Sequence, residues 1–234
     1  MPASSMKPAW GYRPGPDVAF EAPQGLRAAQ RLAKAAALSA VAAARAGIAE
    51  NEVEEQVHSY FRQHGATGIW TITNVGLGEN TRVCFPTQGP SDKRAAEQDV
   101  LMVDVHPITA DGSWGDCTRC AVIGDYPEAV QALGDLERIH YETLALCRPG
   151  MPANELFGLS HERLTREGFI LLDALGNIGH SLTAGAAYTH GFIDAGNATP
   201  MWGAWAIEPF AQRGEVAVKV EDVVWFGRDG CEIL

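Results

Sequence analysis

Hydrophobic positions change period along the chain in a fixed order. Val53, Val57 and Phe61, separated by Glu54, Glu55 and Arg62, form a stripe of helical period, so about 51–64 reads as an amphipathic helix. Alanine-rich sequence before it extends helical character over about 22–46. Strand signals follow at about 69–75, 100–106 and 115–123. The run Val100 to Val105 is apolar except for Asp104 near its end, as expected of a buried strand. Asp111-Gly112 marks a turn, after which Trp114 to Ile123 returns as a hairpin partner. The order then repeats, with helices at about 127–147 and 153–167 and strands near 169–174, 203–208 and 215–227. Helices cluster with helices and strands with strands, which predicts an α+β fold with a largely antiparallel sheet.

An internal repeat supports this. Residues 42–65 align with 145–168, with identities at Ala42/Ala145, Arg45/Arg148, Gly47/Gly150, Asn51/Asn154, Glu52/Glu155, His58/His161 and Gly65/Gly168. Gly47 and Gly150 suit the left-handed residue after a helix end. Each helix pair precedes strands that carry acidic residues, so duplicated helix–helix–hairpin units closing on a shared site are expected. His58 and His161 read as helix-surface or packing residues.

The candidate chemistry lies in those strands. Asp104, Asp116, His180, Glu208 and Glu221 stand in otherwise apolar or glycine-flanked settings. Charges there are costly to bury unless paired or metal-bound. Two hairpins would set Asp104 beside Asp116, and Glu208 beside Glu221, the second through a turn at Gln212-Arg-Gly214. Four carboxylates and one imidazole can hold two divalent cations side by side, a standard way to make hydroxide from water at neutral pH, which points to a metal-assisted hydrolase. Such ligands suit Mn, Fe, Co or Zn. His106 lies two residues after Asp104, on the same strand face, where it is a candidate proton donor or acceptor or a plain strand-end histidine. Glu208 is the candidate proton carrier. Arg119 is a candidate to orient a ligand carboxylate.

Composition narrows the classes. The chain has 234 residues, 46% hydrophobic, enough for a full core. Eighteen Lys and Arg against 29 Asp and Glu give a net charge of −11, which argues against nucleic acid as a partner. No apolar run is long enough to span a membrane. Residues 1–21, with Pro2, Pro8, Pro14 and Pro16, read as an extended arm, not a signal peptide, and one suited to pack on the partner in a homodimer. Residues 22–234 read as a single catalytic domain. Five scattered cysteines suggest reduced thiols and a cytoplasmic protein. Cys117 and Cys120 lack further nearby ligands for a zinc site.

The five acidic and imidazole positions also carry a resemblance. Asp104 followed by Gly-Asp116-Cys-Thr-Arg119, Gly179-His180, Ile207-Glu208-Pro209, and Lys219-Val-Glu221-Asp222 before Asp229-Gly-Cys-Glu-Ile-Leu234 resemble the motifs of the "pita-bread" metallopeptidases. That superfamily comprises methionine aminopeptidases, Xaa-Pro aminopeptidases, prolidases and creatinases; the closing motif is closest to the Xaa-Pro and prolidase branch. The resemblance implies a pita-bread fold, a pseudo-twofold arrangement around a curved antiparallel sheet. It implies two divalent metal ions, with Asp104 on one, Asp116 and Glu221 bridging, and His180 and Glu208 completing the other. It implies a metal-bridging hydroxide acting on small peptides or peptide-like substrates, as an aminopeptidase or dipeptidase of Xaa-Pro type. A creatinase-type C–N hydrolase and a metal-containing binding protein are the alternatives. Two departures stand out. The family's catalytic histidine before the first aspartate has no counterpart in Thr81 to Pro86, where Phe85 or a neighbour takes its place. The histidine usually about seven residues after the metal histidine is also absent, and His190 is the candidate to replace it.

Overall fold

The computed structural model describes residues 18–84, 89–183 and 185–234. Most of the expected arm and Phe85 lie outside the described residues.

The four expected helices form: α1 Gln24–Ala42, α2 Glu50–Gln63, α3 Pro127–Leu144 and α4 Ala153–Arg166. Gly47 and Gly150 precede the second helix of each pair with φ of 80° and 68°, the left-handed backbone that an L side chain resists. The apolar face of α1, built from Ala29, Ala33, Ala36, Ala37 and Ala40, is buried, and alanine lets the helix lie close on the strands beneath it. No helix among the described residues is long and apolar enough to cross a membrane.

The strands are β1 Ala66–Ile69, β2 Asn74–Leu77, β3 Asp99–Val105, β4 Pro107–Thr109 and β5 Cys117–Ile123, then β6 Ile170–Leu171, β7 Gly179–Thr183 and β8 Ala186–Phe192. They continue as β9 Gly203–Ile207, β10 Phe210–Arg213, β11 Val216–Lys219, β12 Asp222–Phe226 and β13 Cys231–Ile233. Every strand pairing is antiparallel. The sheet orders β2-β3-β5, β11-β10-β6 and β13-β12-β9-β7-β8 line the interior, with β1-β4 beside them.

The stretch 215–227 departs from expectation: it is two strands in two sheets, not one. β11 returns on β10 in a hairpin, whereas β12 pairs with β9, Asp222 opposite Ile207. The break falls at Val220-Glu221, where the Glu221 N–H donates to the Thr118 carbonyl at 3.2 Å, on the edge of β5 in the other half of the molecule. The β7–β8 hairpin was not legible as strand, because its glycine- and alanine-rich sequence carries no apolar alternation.

The core follows the repeat. Ala33, Ala37, Val57, Leu101 and Val103 pack between the first helix pair and β3. Leu136, Ile139, Phe210 and Val218 pack between α3 and the β10–β11 hairpin. Between these layers the strand ends meet, and there the acidic residues collect.

Candidate metal centre

Asp104 sits near the end of β3, opposite Thr118 of β5, and Asp116 immediately precedes β5. His106 follows β3 directly. His180, in β7, stands opposite Ala206 of β9, and Glu208 follows β9 with its N–H bonded to the Ile178 carbonyl at 2.8 Å. Gly179 is required there: a Cβ would fall 2.1 Å from the Ala206 carbonyl oxygen. A side chain at 179 would push β7, and His180 with it, off β9.

These elements bring Asp104, Asp116, His180 and Glu208 to one pocket, His106 with them, and set the buried Glu221 beside Asp116 and His180. The His180 Nε2 lies 3.6 Å from Asp116 Oδ2 and 3.4 Å from Glu208 Oε1. The His106 Nε2 lies 3.3 Å from Asp104 Oδ1 and 3.5 Å from Asp116 Oδ1. Glu221 is fully buried, whereas the Glu208 side chain keeps 16% of its surface exposed.

A lysine that the sequence reading left without a role stands among them. Lys219 Nζ is 2.6 Å from Glu208 Oε2, 3.0 Å from Asp104 Oδ2 and 3.6 Å from Glu221 Oε2. The signal was available in the motif, where Lys219 stands two residues before Glu221. Cys84 adds a thiol donor to Asp104 Oδ2 at 3.1 Å.

Charge crowding sets the protonation of the cluster. Burial, then the charges of Glu221, Asp104 and Glu208, push Asp116 well above the usual carboxylate range. Burial, opposed by Lys219 and reinforced by Glu208 and Asp104, moves Glu221 up to about 8. For Asp104 burial is outweighed by the ammonium of Lys219, then by His106, and its carboxyl stays well below the usual range. Burial lowers His180, which favours the neutral imidazole that metals bind.

Behind Glu221 a second charged group holds its backbone. Arg119 donates to the Glu221 carbonyl at 2.5 Å and the Thr118 carbonyl at 2.8 Å, and to Asp222 Oδ1 at 2.8 Å. Asp222 also meets Lys34 at 2.7 Å and His140 at 3.0 Å. Thr118 Oγ1 donates to Glu221 Oε2 at 2.8 Å. The orienting role expected of Arg119 thus falls on the Glu221 main chain and on Asp222.

The donor set fits divalent metal. Asp104, His106 and Asp116, and separately Asp116, His180 and Glu221, each place three potential ligand atoms within 4.8 Å of one another. Asp104 Oδ1 and Glu221 Oε1 are buried without a hydrogen-bond partner among the described residues. A buried carboxylate oxygen left this way is costly unless a cation meets it.

The pocket has a volume of about 240 Å³. Trp70, Tyr188 and Phe192 form apolar walls, while Asn74 of β2 and Cys84, from the segment between β2 and β3, also line it. Tyr188 is the one non-glycine residue with positive φ among the described residues, at 65°, and its ring centroid lies 4.5 Å from that of His180. Trp205 is fully buried in the core, its indole N–H bonded to the Trp202 carbonyl. His190 is not brought to the cluster. Its backbone N–H is tied to Ser181 Oγ at 2.8 Å, and its side chain lines a separate cavity with Trp114, Trp202 and Trp225. The irregular register between β7 and β8 turns Tyr188, not His190, toward His180.

A fold of paired helix–hairpin halves around clustered carboxylates and a histidine defines a metallohydrolase-like architecture. The sequence matches the model of metallopeptidase family M24 over residues 24–226, and the chain belongs to that family. It is similar to the methionine aminopeptidase of Chlamydia muridarum, 26% identical over 151 residues, covering 60% of this chain and 49% of the relative. It is likewise similar to the Xaa-Pro aminopeptidase of Escherichia coli, 29% identical over 144 residues, covering 59% of this chain and 32% of the relative. The chain thus spans half or less of these relatives. Among solved structures, the X-Pro aminopeptidase of Thermotoga maritima superposes with a TM-score of 0.75 at 23% identity, over 90% of this chain and 59% of that one. The methionine aminopeptidase of Rickettsia prowazekii gives 0.73 at 16% identity, over 89% and 94%. These likenesses bear out the α+β pita-bread fold.

Proposed function

We propose that the chain is a metal-dependent peptidase that removes or separates residues at the N-terminal end of small peptides, of Xaa-Pro type. The observation that carries this reading is the convergence of Asp104, Asp116, His180 and Glu208 on one pocket of a family M24 chain, with the buried Glu221 grouped with Asp116 and His180. Those five residues would hold two divalent ions. When bound, the ions would supply Lewis acidity toward a carbonyl oxygen and would lower the pKa of water.

The residues of the chain do the rest. Glu208, the most exposed carboxylate of the set, is placed to take a proton from the attacking water and return it to the leaving amine. Lys219, bonded to its Oε2, holds that carboxylate in orientation. Arg119 and Thr118 fix Glu221 from both its carbonyl and its carboxylate. Trp70, Tyr188 and Phe192 offer apolar contact to a small side chain or a proline ring and keep bulk water away. The modest pocket favours a dipeptide or the end of a short peptide over a folded protein.

The test is release of N-terminal residues from a peptide panel that includes Xaa-Pro and Met-Xaa ends, with Mn(II), Co(II), Zn(II) or chelator. Chelator-sensitive cleavage, absent in Asp116→Ala, is expected, with preference for Xaa-Pro ends. Cleavage that survives both chelator and that substitution would overturn the reading. Bound metal without cleavage of any peptide would shift the substrate to a non-peptide amide.

A further inference from the structure

We propose that His106 is a metal ligand, joining Asp104 and Asp116 around one ion, while His180 serves the other. The inference rests on the metal-centre reading above and adds a ligand to it; His106 then has no lone pair left for the proton transfer its position first suggested.

The geometry is that of ligands facing a common point. His106 Nε2 approaches Asp104 Oδ1 to 3.3 Å and Asp116 Oδ1 to 3.5 Å, and all three atoms lie within 4.8 Å of one another. Asp104 Oδ1 nevertheless accepts no hydrogen bond. Atoms bound at ~2.1 Å to one ion stand ~3.0 Å apart at right angles and ~3.4 Å apart at the tetrahedral angle. The His180 side of the cluster has the same spacing, 3.4 Å and 3.6 Å from Nε2 to its two carboxylate neighbours.

His106 is 4% exposed, and its ring is held edge-on to Trp70, with centroids 5.0 Å apart, so that Nε2 is aimed at the two aspartates.

Lys219 explains why an additional donor is needed. Its ammonium engages Oδ2 of Asp104, Oε2 of Glu208 and Oε2 of Glu221. Asp104 is thereby left to present a single oxygen, Oδ1, to an ion. An imidazole from His106 restores the missing donor. Each ion would then have one imidazole, with Asp116 shared, a donor set favouring Zn, Co or Fe over Mg and Ca.

The test is metal binding to the full chain, by Co(II) and Zn(II) titration calorimetry and metal analysis after dialysis, with the Co(II) absorption spectrum. Wild type is expected to hold two ions. His106→Ala is expected to lose one, or to bind it at least ~10-fold more weakly, with an altered Co(II) spectrum. His180→Ala should weaken the other ion, and Asp116→Ala both. If His180→Ala and Asp116→Ala lose metal while His106→Ala keeps both affinities and the wild-type spectrum, His106 is not a ligand and the metal centre stands without it. If none of the three changes metal binding, the metal-centre reading itself fails. Should His106→Ala not fold, the wild-type Co(II) protein decides: hyperfine-shifted imidazole NH resonances from two histidines support the assignment, and from one overturn it.

Discussion

Replacing Lys219 by Met should destabilise the metal-free protein far more than its bound form. Lys219 is 4% exposed, and its ammonium meets Asp104, Glu208 and Glu221 directly, at 3.0, 2.6 and 3.6 Å. Methionine fills nearly the same space without charge, so packing changes little and the loss is electrostatic. Breaking a buried ion pair by removing one partner costs ~3–5 kcal/mol. The lower end, ~3 kcal/mol, applies here, because the crowded carboxylates respond by taking up protons. In a domain of this size each kcal/mol moves the melting temperature by roughly 2–4 °C, so a drop of ~6–12 °C is expected in chelator. Adding Zn(II) supplies the missing positive charge and should narrow the gap between variant and wild type. The assay is thermal unfolding followed by circular dichroism, in chelator and in metal. A variant that melts within ~2 °C of wild type in chelator would refute the argument that Lys219 neutralises this cluster.

Other outcomes follow from the same residues. Burial and neighbouring charge raise Glu221 to about 8 and Asp116 well above its ordinary value; a raised carboxyl pKa stabilises the fold below the unfolded value and loses that contribution as pH rises through the folded one. Metal-free protein should therefore lose stability between about pH 5 and 8, and urea titrations across that range should show the slope diminish once metal is bound. Gly179→Ala places a Cβ 2.1 Å from the Ala206 carbonyl oxygen and should cost ~2–3 kcal/mol while weakening metal binding by shifting His180; chemical denaturation with and without Zn(II) reads both. Arg119→Met frees the Glu221 carbonyl and Asp222, so metal affinity should fall ~10-fold or more in competition with a chelating dye, and Arg119→Lys should recover only part.

Much of the site was legible before the fold. The apolar run ending at Asp104 and the turn at Asp111-Gly112 located the first hairpin, and the β3–β5 register places Asp104 opposite Thr118, two residues beyond Asp116. The repeat at 42–65 and 145–168 foretold two helix pairs with left-handed glycines at 47 and 150. The β7–β8 hairpin was hidden, because alanine and glycine report neither period. That silence left His190, the next histidine after the position the resemblance implies, as the candidate, whereas the actual register presents Tyr188. The division of 215–227 was equally unreadable, since a valine-rich stretch with no glycine, proline or turn signal inside it does not reveal that Glu221 bonds across the molecule to Thr118. Lys219 was visible in its motif, but its meaning needed the three carboxylates assembled around it.

The most direct test of the metal centre is anomalous diffraction at the Zn or Co edge from crystals of the full chain grown with that metal. The account predicts anomalous peaks inside the cluster, one bounded by Asp104, His106 and Asp116 and one by Asp116, His180, Glu208 and Glu221. Crystals with no anomalous density in the cluster at saturating metal would contradict it.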